Sequence, residues 1–165
     1  MIILASASPR REELLKKICT DFKIEIGHGE EIHGATTPKD LALANAKIKA
    51  ESVAKKFLQD VVIGADTIVA LDGKIFEKPA DSRGAFEMLK TLSGRKHEVI
   101  TGLAIVAQGK TFTAAEVTEV FFGKMSDEEI KSYVATGEPL DKSGSYALQG
   151  GAAKFIEKIN GDWSN

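Results

Sequence analysis

Val61-Val62-Ile63-Gly64-Ala65-Asp66-Thr67-Ile68-Val69-Ala70-Leu71-Asp72-Gly73 is the stretch that decides the fold class. Its apolar, β-branched run predicts a strand over Val61 to Leu71, and Asp72-Gly73 predicts a two-residue hairpin turn. Lys74 to Glu77 is the returning strand. A strand with apolar side chains on both faces belongs in the middle of a covered sheet. Asp66 interrupts that run. A carboxylate in a central strand is expensive unless it is paired, metal-bound or at the edge of a cleft. A structural salt bridge and a catalytic or metal-binding role both remain open for it. Gly64 and Ala65 keep its surroundings open, consistent with close approach by a ligand.

Working outward toward the N-terminus, Pro38 opens a helix running to about Lys56, with Leu41, Leu43, Ala44, Ile48 and Val53 available for burial. Gly27 to Thr37 is a polar loop, preceded by a short strand over Phe22 to Ile26. Met1 to Ala5 reads as a buried strand and not as a signal peptide. Ser8 is a good N-cap for a helix over Pro9 to Lys17, with Pro9 in the first turn, where a missing N–H is tolerated.

Toward the C-terminus, Ser82 to Leu92 is a helix stopped by Ser93-Gly94. Glu98 to Ala107 and Thr111 to Phe122 are long strands joined at Gln108-Gly109. Ser126 with Glu129 forms a capping box for a helix ending at Gly137. Gly144 to Gly151 is a glycine-rich loop or short strand, and Lys154 to Ile159 is a final strand. Strands mixed with helices, with hairpins in the middle, predict an α/β (mixed α+β) fold around a mixed twisted sheet.

The 165 residues fit one domain, or two small lobes sharing a cleft, and 43% hydrophobic content is enough for a core without disulfides. A net charge of −2 offers no global attraction to nucleic acid, so any anion site must be local. No stretch approaches the roughly 20 apolar residues of a membrane span. Cys19 is the single cysteine, which rules out an internal disulfide and a multi-cysteine zinc site. It reads as a buried small hydrophobe on the first helix. A reducing cytoplasm is the expected location.

Several residues are not explained by the fold alone. Arg10 and Arg11 stand in the first turn of a helix, where the dipole disfavours cations. They either point into solvent or, with Ser6, Ser8 and the exposed N–H groups, form an anion site at a strand end. Glu30 and Glu31 are loop carboxylates that matter only if the loop folds back over Asp66, because two or three carboxylates facing phosphates are how a protein holds Mg²⁺. Lys49 lies among other helical lysines and reads by itself as a surface residue. Lys78, before Pro79 at a strand end, could reach into a cleft. The segment Glu138 to Gly151 is either an ordinary loop or one whose glycines admit a ligand. His28, His33 and His97 are not spaced as a metal cluster, and no Walker-type phosphate loop is present.

Taken together, the motifs resemble the Maf family of nucleotide pyrophosphatases. The matching pieces are Leu4-Ala5-Ser6-Ala7-Ser8-Pro9-Arg10-Arg11, Ile63-Gly64-Ala65-Asp66-Thr67, Glu77-Lys78-Pro79, Leu92-Ser93-Gly94 with His97, Gly137 to Lys142, Tyr146 to Gly150 and Asn160-Gly161-Asp162. They run in the family's order over almost the whole chain. The resemblance implies a deep nucleotide-binding cleft between two lobes, and a homodimer. It implies that Asp66 is the proton acceptor and, with Glu31, a ligand of a divalent metal, Mg²⁺ first and Mn²⁺ or Co²⁺ as alternatives. Ser8, Arg11, Lys49 and Lys78 match phosphate-binding positions, and Arg10, Thr67 and Gln149 match positions tied to substrate choice. Thr67 and Gln149-Gly150 resemble the subgroup acting on dTTP, UTP and modified pyrimidine nucleotides.

The implied reaction cuts the α–β phosphate bond to give a nucleoside monophosphate and pyrophosphate. Alternatives are a purine (ITP/XTP) house-cleaning pyrophosphatase and a non-catalytic nucleotide-binding regulator of cell division. The resemblance differs at two points: the acidic pair is Glu30-Glu31 where the family has Asp-Glu, and the chain stops at Asp162-Trp163-Ser164-Asn165, before the family's usual last strand and helix. Residues 1–165 are therefore expected to form a single domain of this type without that strand and helix. A membrane association and a stable nucleic-acid complex are not expected.

Overall fold

The computed structural model describes residues 1–34 and 36–165. Among these, the strands are β1 (Ile2–Leu4), β2 (Phe22–Ile24), β3 (Val61–Leu71), β4 (Lys74–Phe76), β5 (Lys96–Ala107), β6 (Lys110–Phe122) and β7 (Ile156–Asn160). The α-helices are α1 (Pro9–Lys16), α2 (Pro38–Ala54), α3 (Ser82–Leu92) and α4 (Asp127–Ala135). The strands form one mixed sheet in the order β2-β1-β3-β5-β6-β7, with β4 paired to β3. β1 runs parallel to both β2 and β3, with Ile2 opposite Phe22 and Val61, whereas β4 and β7 are antiparallel to their partners. The mixed α/β class read from the sequence is the observed one.

The turns follow their residues. Asp72 and Gly73 both have positive φ, as do Gln108 and Gly109, the backbone of two-residue turns that match the strands' twist. Ser126 accepts from the Glu129 N–H while the Glu129 side chain accepts from the Ser126 N–H, completing the capping box. Ser8 occupies the N-cap of α1 with extended backbone, but its side chain makes no capping bond.

Several boundaries depart from expectation. β2 ends at Ile24, and Lys154 and Phe155 belong to a 3-10 turn before β7. Cys19 lies past the end of α1 and is only half-buried, its thiol directed at the Asp21 carbonyl, and Ile18 is 85% exposed. α1 buries no residue completely, so Cys19 has no core helix to belong to.

The chain divides into two compact units, with β3, β5 and β6 contributing to both. The first comprises Met1–Asp66, Thr101–Glu116 and Ser164. Its core is made largely of small side chains: Ile3, Ala5, Ala46, Ala50, Val53, Val62 and Ala104. The helical face that is buried on α2 is Leu41, Ala42, Asn45, Ala46, Ala50 and Val53, while the expected Leu43, Ala44 and Ile48 are half-buried. Three of these alanines, Ala42, Ala46 and Ala50, repeat every fourth residue and so share one stripe. The stripe lies on glycines of the sheet. A Cβ at Gly64 would stand 2.6 Å from the Ala46 carbonyl oxygen, and one at Gly102 would stand 2.3 Å from that of Ala42. Gly64 therefore makes room for the backbone of α2, not for a ligand.

The second unit comprises Thr67–Ile100, Val117–Trp163 and Asn165. Its core is large and aromatic, including Phe76, Leu89, Leu92, Phe122, Ile130, Tyr133, Tyr146 and Phe155. His97 is buried among them, edge-on to Phe122 and Tyr146, with Nε2 2.5 Å from the Tyr146 hydroxyl. Burial drives its pKa down from 6.5 to about 4. His97 and Tyr146 are thus core residues.

Candidate active site

Close packing of α2 on β3 places Lys49 beside Asp66. Lys49 Nζ donates to Asp66 Oδ1 at 2.6 Å and lies 3.0 Å from Glu31 Oε1. Its side chain is only 20% exposed and that of Asp66 13%. Lys49 is therefore the shared counter-ion of two carboxylates and not the surface lysine its helical neighbours imply. The loop does fold back: Glu31 reaches Lys49 at the Asp66 centre, and Glu30 beside it is exposed.

Arg11 joins the same centre from the first turn of α1. Nη1 donates to the Ala65 carbonyl at 2.8 Å and to Ser6 Oγ at 3.2 Å, and Ser6 Oγ also accepts from the Ser8 N–H. Ser6 is buried, so its hydroxyl fixes both the turn and the guanidinium. Burial lowers the Arg11 pKa, opposed by the charges of Asp66 and then Glu31. Guanidinium remains protonated at any ordinary pH, so a part-buried cation faces the two carboxylates. Arg10 is half-buried on the same turn.

The remaining predicted residues belong to the second unit. Thr67 follows Asp66 on β3 and is half-buried. Lys78 is exposed just beyond β4, before the buried Pro79. Gln149 is exposed, and its Nε2 donates to the Trp163 carbonyl. The glycine-rich segment closes on the protein itself: Gly151 N–H donates to Glu138 Oε2 at 2.9 Å, and a Cβ at Gly144 would stand 2.8 Å from Val69. These glycines admit the unit's own side chains.

The residues of the first unit are suited to a hard divalent cation. Asp66 and Glu31 already converge on one cationic nitrogen, supplying two carboxylates to a single positive charge. Among the described residues no group of three or more His, Cys, Asp or Glu could form a closed metal site. Mg²⁺ needs no such cage, since it is held by one or two carboxylates together with water and substrate phosphates.

The buried residue that sequence reasoning passed over is Asn45, whose side chain bonds Ile32 of the Glu31 loop. Its signal was an asparagine set within Leu41-Ala42-Leu43-Ala44-Asn45-Ala46, a polar group on an otherwise apolar helical face.

Residues 1–165 match the family described as Maf-like protein. This chain belongs to that family. It is 48% identical to a dTTP/UTP pyrophosphatase of Carboxydothermus hydrogenoformans, over 99% of this chain and 89% of that protein. It is 45% identical to a dTTP/UTP pyrophosphatase of Thermococcus gammatolerans, over 100% of this chain and 88% of the relative. Among solved structures it resembles the Staphylococcus aureus Ham1 protein, with a TM-score of 0.55 and 20% identity over 73% of this chain and 71% of that one. At that identity the likeness is one of fold. Among the described residues no helix is long and apolar enough to cross a membrane.

Proposed function

We propose that this Maf-like chain is a nucleoside triphosphate pyrophosphatase acting on dTTP, UTP and modified pyrimidine nucleotides. The observation that carries the reading is the Lys49–Asp66–Glu31 cluster with Arg11 beside it, in a chain nearly half identical to dTTP/UTP pyrophosphatases. Two carboxylates and two cations converging where α2 packs on β3 suit a polyanionic ligand that carries a metal.

Arg11 and Lys49, with Ser8 and Lys78, bind the triphosphate and neutralise the charge that develops on departing pyrophosphate. Arg11, anchored on Ser6 and the Ala65 carbonyl, needs little reordering to meet a phosphate. Asp66 and Glu31 would hold a divalent metal, Mg²⁺ in the first instance, which when bound polarises the α phosphate and lowers the pKa of water. Asp66 accepts the proton of the attacking water as its oxygen bonds to the α phosphorus and the α–β bridging bond breaks. Lys49 is the group that must exchange its carboxylate bonds for phosphate bonds when substrate arrives. Arg10, Thr67 and Gln149 contribute to the choice of base. A cytoplasmic homodimer belongs to the same reading.

Incubating the protein with UTP, dTTP, CTP, ITP and 7-methyl-GTP plus Mg²⁺, and measuring monophosphate and pyrophosphate, tests the proposal. Release foremost from UTP and dTTP is expected. ITP foremost would reassign the base to the purines. Binding without release, with Mn²⁺ and Co²⁺ also tried, would make the chain a nucleotide-binding regulator. Asp66→Asn should retain nucleotide binding and lose ~10²–10⁴-fold in turnover.

A further inference from the structure

Asn45 is a polar side chain where the helical pattern calls for an apolar one. It lies next to Ala46 on the face of α2 turned to the core and is 4% exposed. A buried primary amide is tolerated when its donors and acceptors are met. Here Ile32 N–H donates to Asn45 Oδ1 at 2.8 Å, and Asn45 Nδ2 donates to the Ile32 carbonyl at 3.0 Å. Both backbone groups of one loop residue are thus held by one side chain, and that residue directly follows Glu31.

The preceding loop presses on the same helix. A Cβ at Gly29 would stand 2.4 Å from Ile48 Cγ2, and one at Gly27 would stand 2.2 Å from Ser52 Oγ and 2.9 Å from the Lys49 carbonyl oxygen. Residues 27, 29 and 32 therefore dock at three places along α2, and Lys49 lies within the same stretch of helix. The Glu31 side chain is 43% exposed and the described residues around it form no helix or strand, so without docking its carboxylate would have many positions to lose on binding.

We infer that Asn45 is a positioning residue, whose paired bonds to Ile32 hold the Glu31 carboxylate at the Lys49–Asp66 centre. The inference rests on the reading of Glu31 as part of the nucleotide site. Its consequence is that Asn45 contributes to turnover only through Glu31, whereas a merely structural asparagine would contribute independently of it.

The test is a double-mutant cycle of Asn45→Ala and Glu31→Gln, with kcat and KM for UTP in Mg²⁺, the Tm, and amide exchange at Ile32 for each protein. Asn45→Ala should lower kcat about 10–100-fold, the usual range for a residue that orients a ligating carboxylate, and speed exchange at Ile32. The double variant should be no slower than Glu31→Gln alone. An equal factor in both backgrounds overturns the inference, as does unchanged kcat despite faster exchange at Ile32. If Glu31→Gln itself leaves kcat intact, the reading of Glu31 has failed, and the premise of the inference with it. Should Asn45→Ala not fold, Gly29→Ala loosens the same loop from Ile48 and enters the cycle in its place.

Discussion

The two units are packed by opposite means. In the first, α2 lies on the sheet through alanine and glycine, backbone almost against backbone, and the core side chains are small. In the second, leucines and aromatics fill a large core around His97 and Tyr146. A small-residue contact buries little area per residue, about 25 cal/mol for each Å², so it is a poor source of stability. What it supplies is closeness. With the helix backbone held against β3, the short reach from Lys49 to Asp66 and from Asn45 to Ile32 becomes possible. The large core stabilises and the small one positions.

That division is open to direct attack. The largest expected effect on stability is in the second unit, where Leu89→Ala removes a fully buried side chain and should cost about 2–5 kcal/mol in denaturant unfolding. Turnover per folded molecule should survive, because Lys49, Asp66 and Glu31 belong to the other unit. Turnover lost in proportion to stability would break the comparison.

Next is the pH dependence of the same core. His97 has its pKa lowered to about 4 when folded, so between pH 6.5 and 4 the unfolded chain binds the extra proton. Stability from this group is therefore complete above pH 6.5 and lost as pH falls through that window, by about 3 kcal/mol in all. His97→Phe should flatten this part of the unfolding profile; an unchanged pH slope would remove His97 as its source.

Gly64→Ala acts on the small core. Its Cβ would meet backbone atoms of Ala46 and Ala50 at 2.6 and 2.7 Å, which no side-chain rotation relieves. Overpacking of this kind costs about 1–3 kcal/mol. Turnover should fall further than that loss of stability accounts for, since a 1 Å displacement of a reacting group can cost on the order of 10²-fold. A variant that is less stable but fully active would show that the closeness of α2 is not used by the site. The smallest effect is Ser126→Ala, which removes a side-chain cap of α4 and should cost about 1 kcal/mol with no change in turnover. A loss of activity there would show that the second unit's helices matter to the chemistry.

Elements whose signals are local were legible in the sequence. The β3–β4 and β5–β6 turns are set by Asp-Gly and Gln-Gly pairs, α4 by its capping box, and the C-terminal end of α3 by Ser93-Gly94. Asp66 was singled out because a charge inside an apolar strand is anomalous whatever surrounds it. The misreadings have one physical cause. Gly64 beside Asp66 has the same composition whether a ligand or a helix fills the space, and only packing distinguishes them. Lys49 among lysines, and Asn45 among alanines, carry no mark of what they face. Leu14 and Leu15 on α1 and Cys19 beyond it are only half-buried, and Ile18 is exposed, because apolar spacing alone does not say what a helix packs against.

The sequence by itself thus determined the class of fold, the order of elements, an anomalous carboxylate within an apolar strand and a pair of cations at a helix start. These follow from φ preferences, side-chain periodicity and the cost of a buried charge, all of which act over a few residues. Only the tertiary structure decided that Lys49 bridges Asp66 and Glu31, that Arg11 is anchored through Ser6, and that Asn45 ties down the Glu31 loop. Those contacts join residues distant along the chain, and their existence depends on how closely one backbone can approach another.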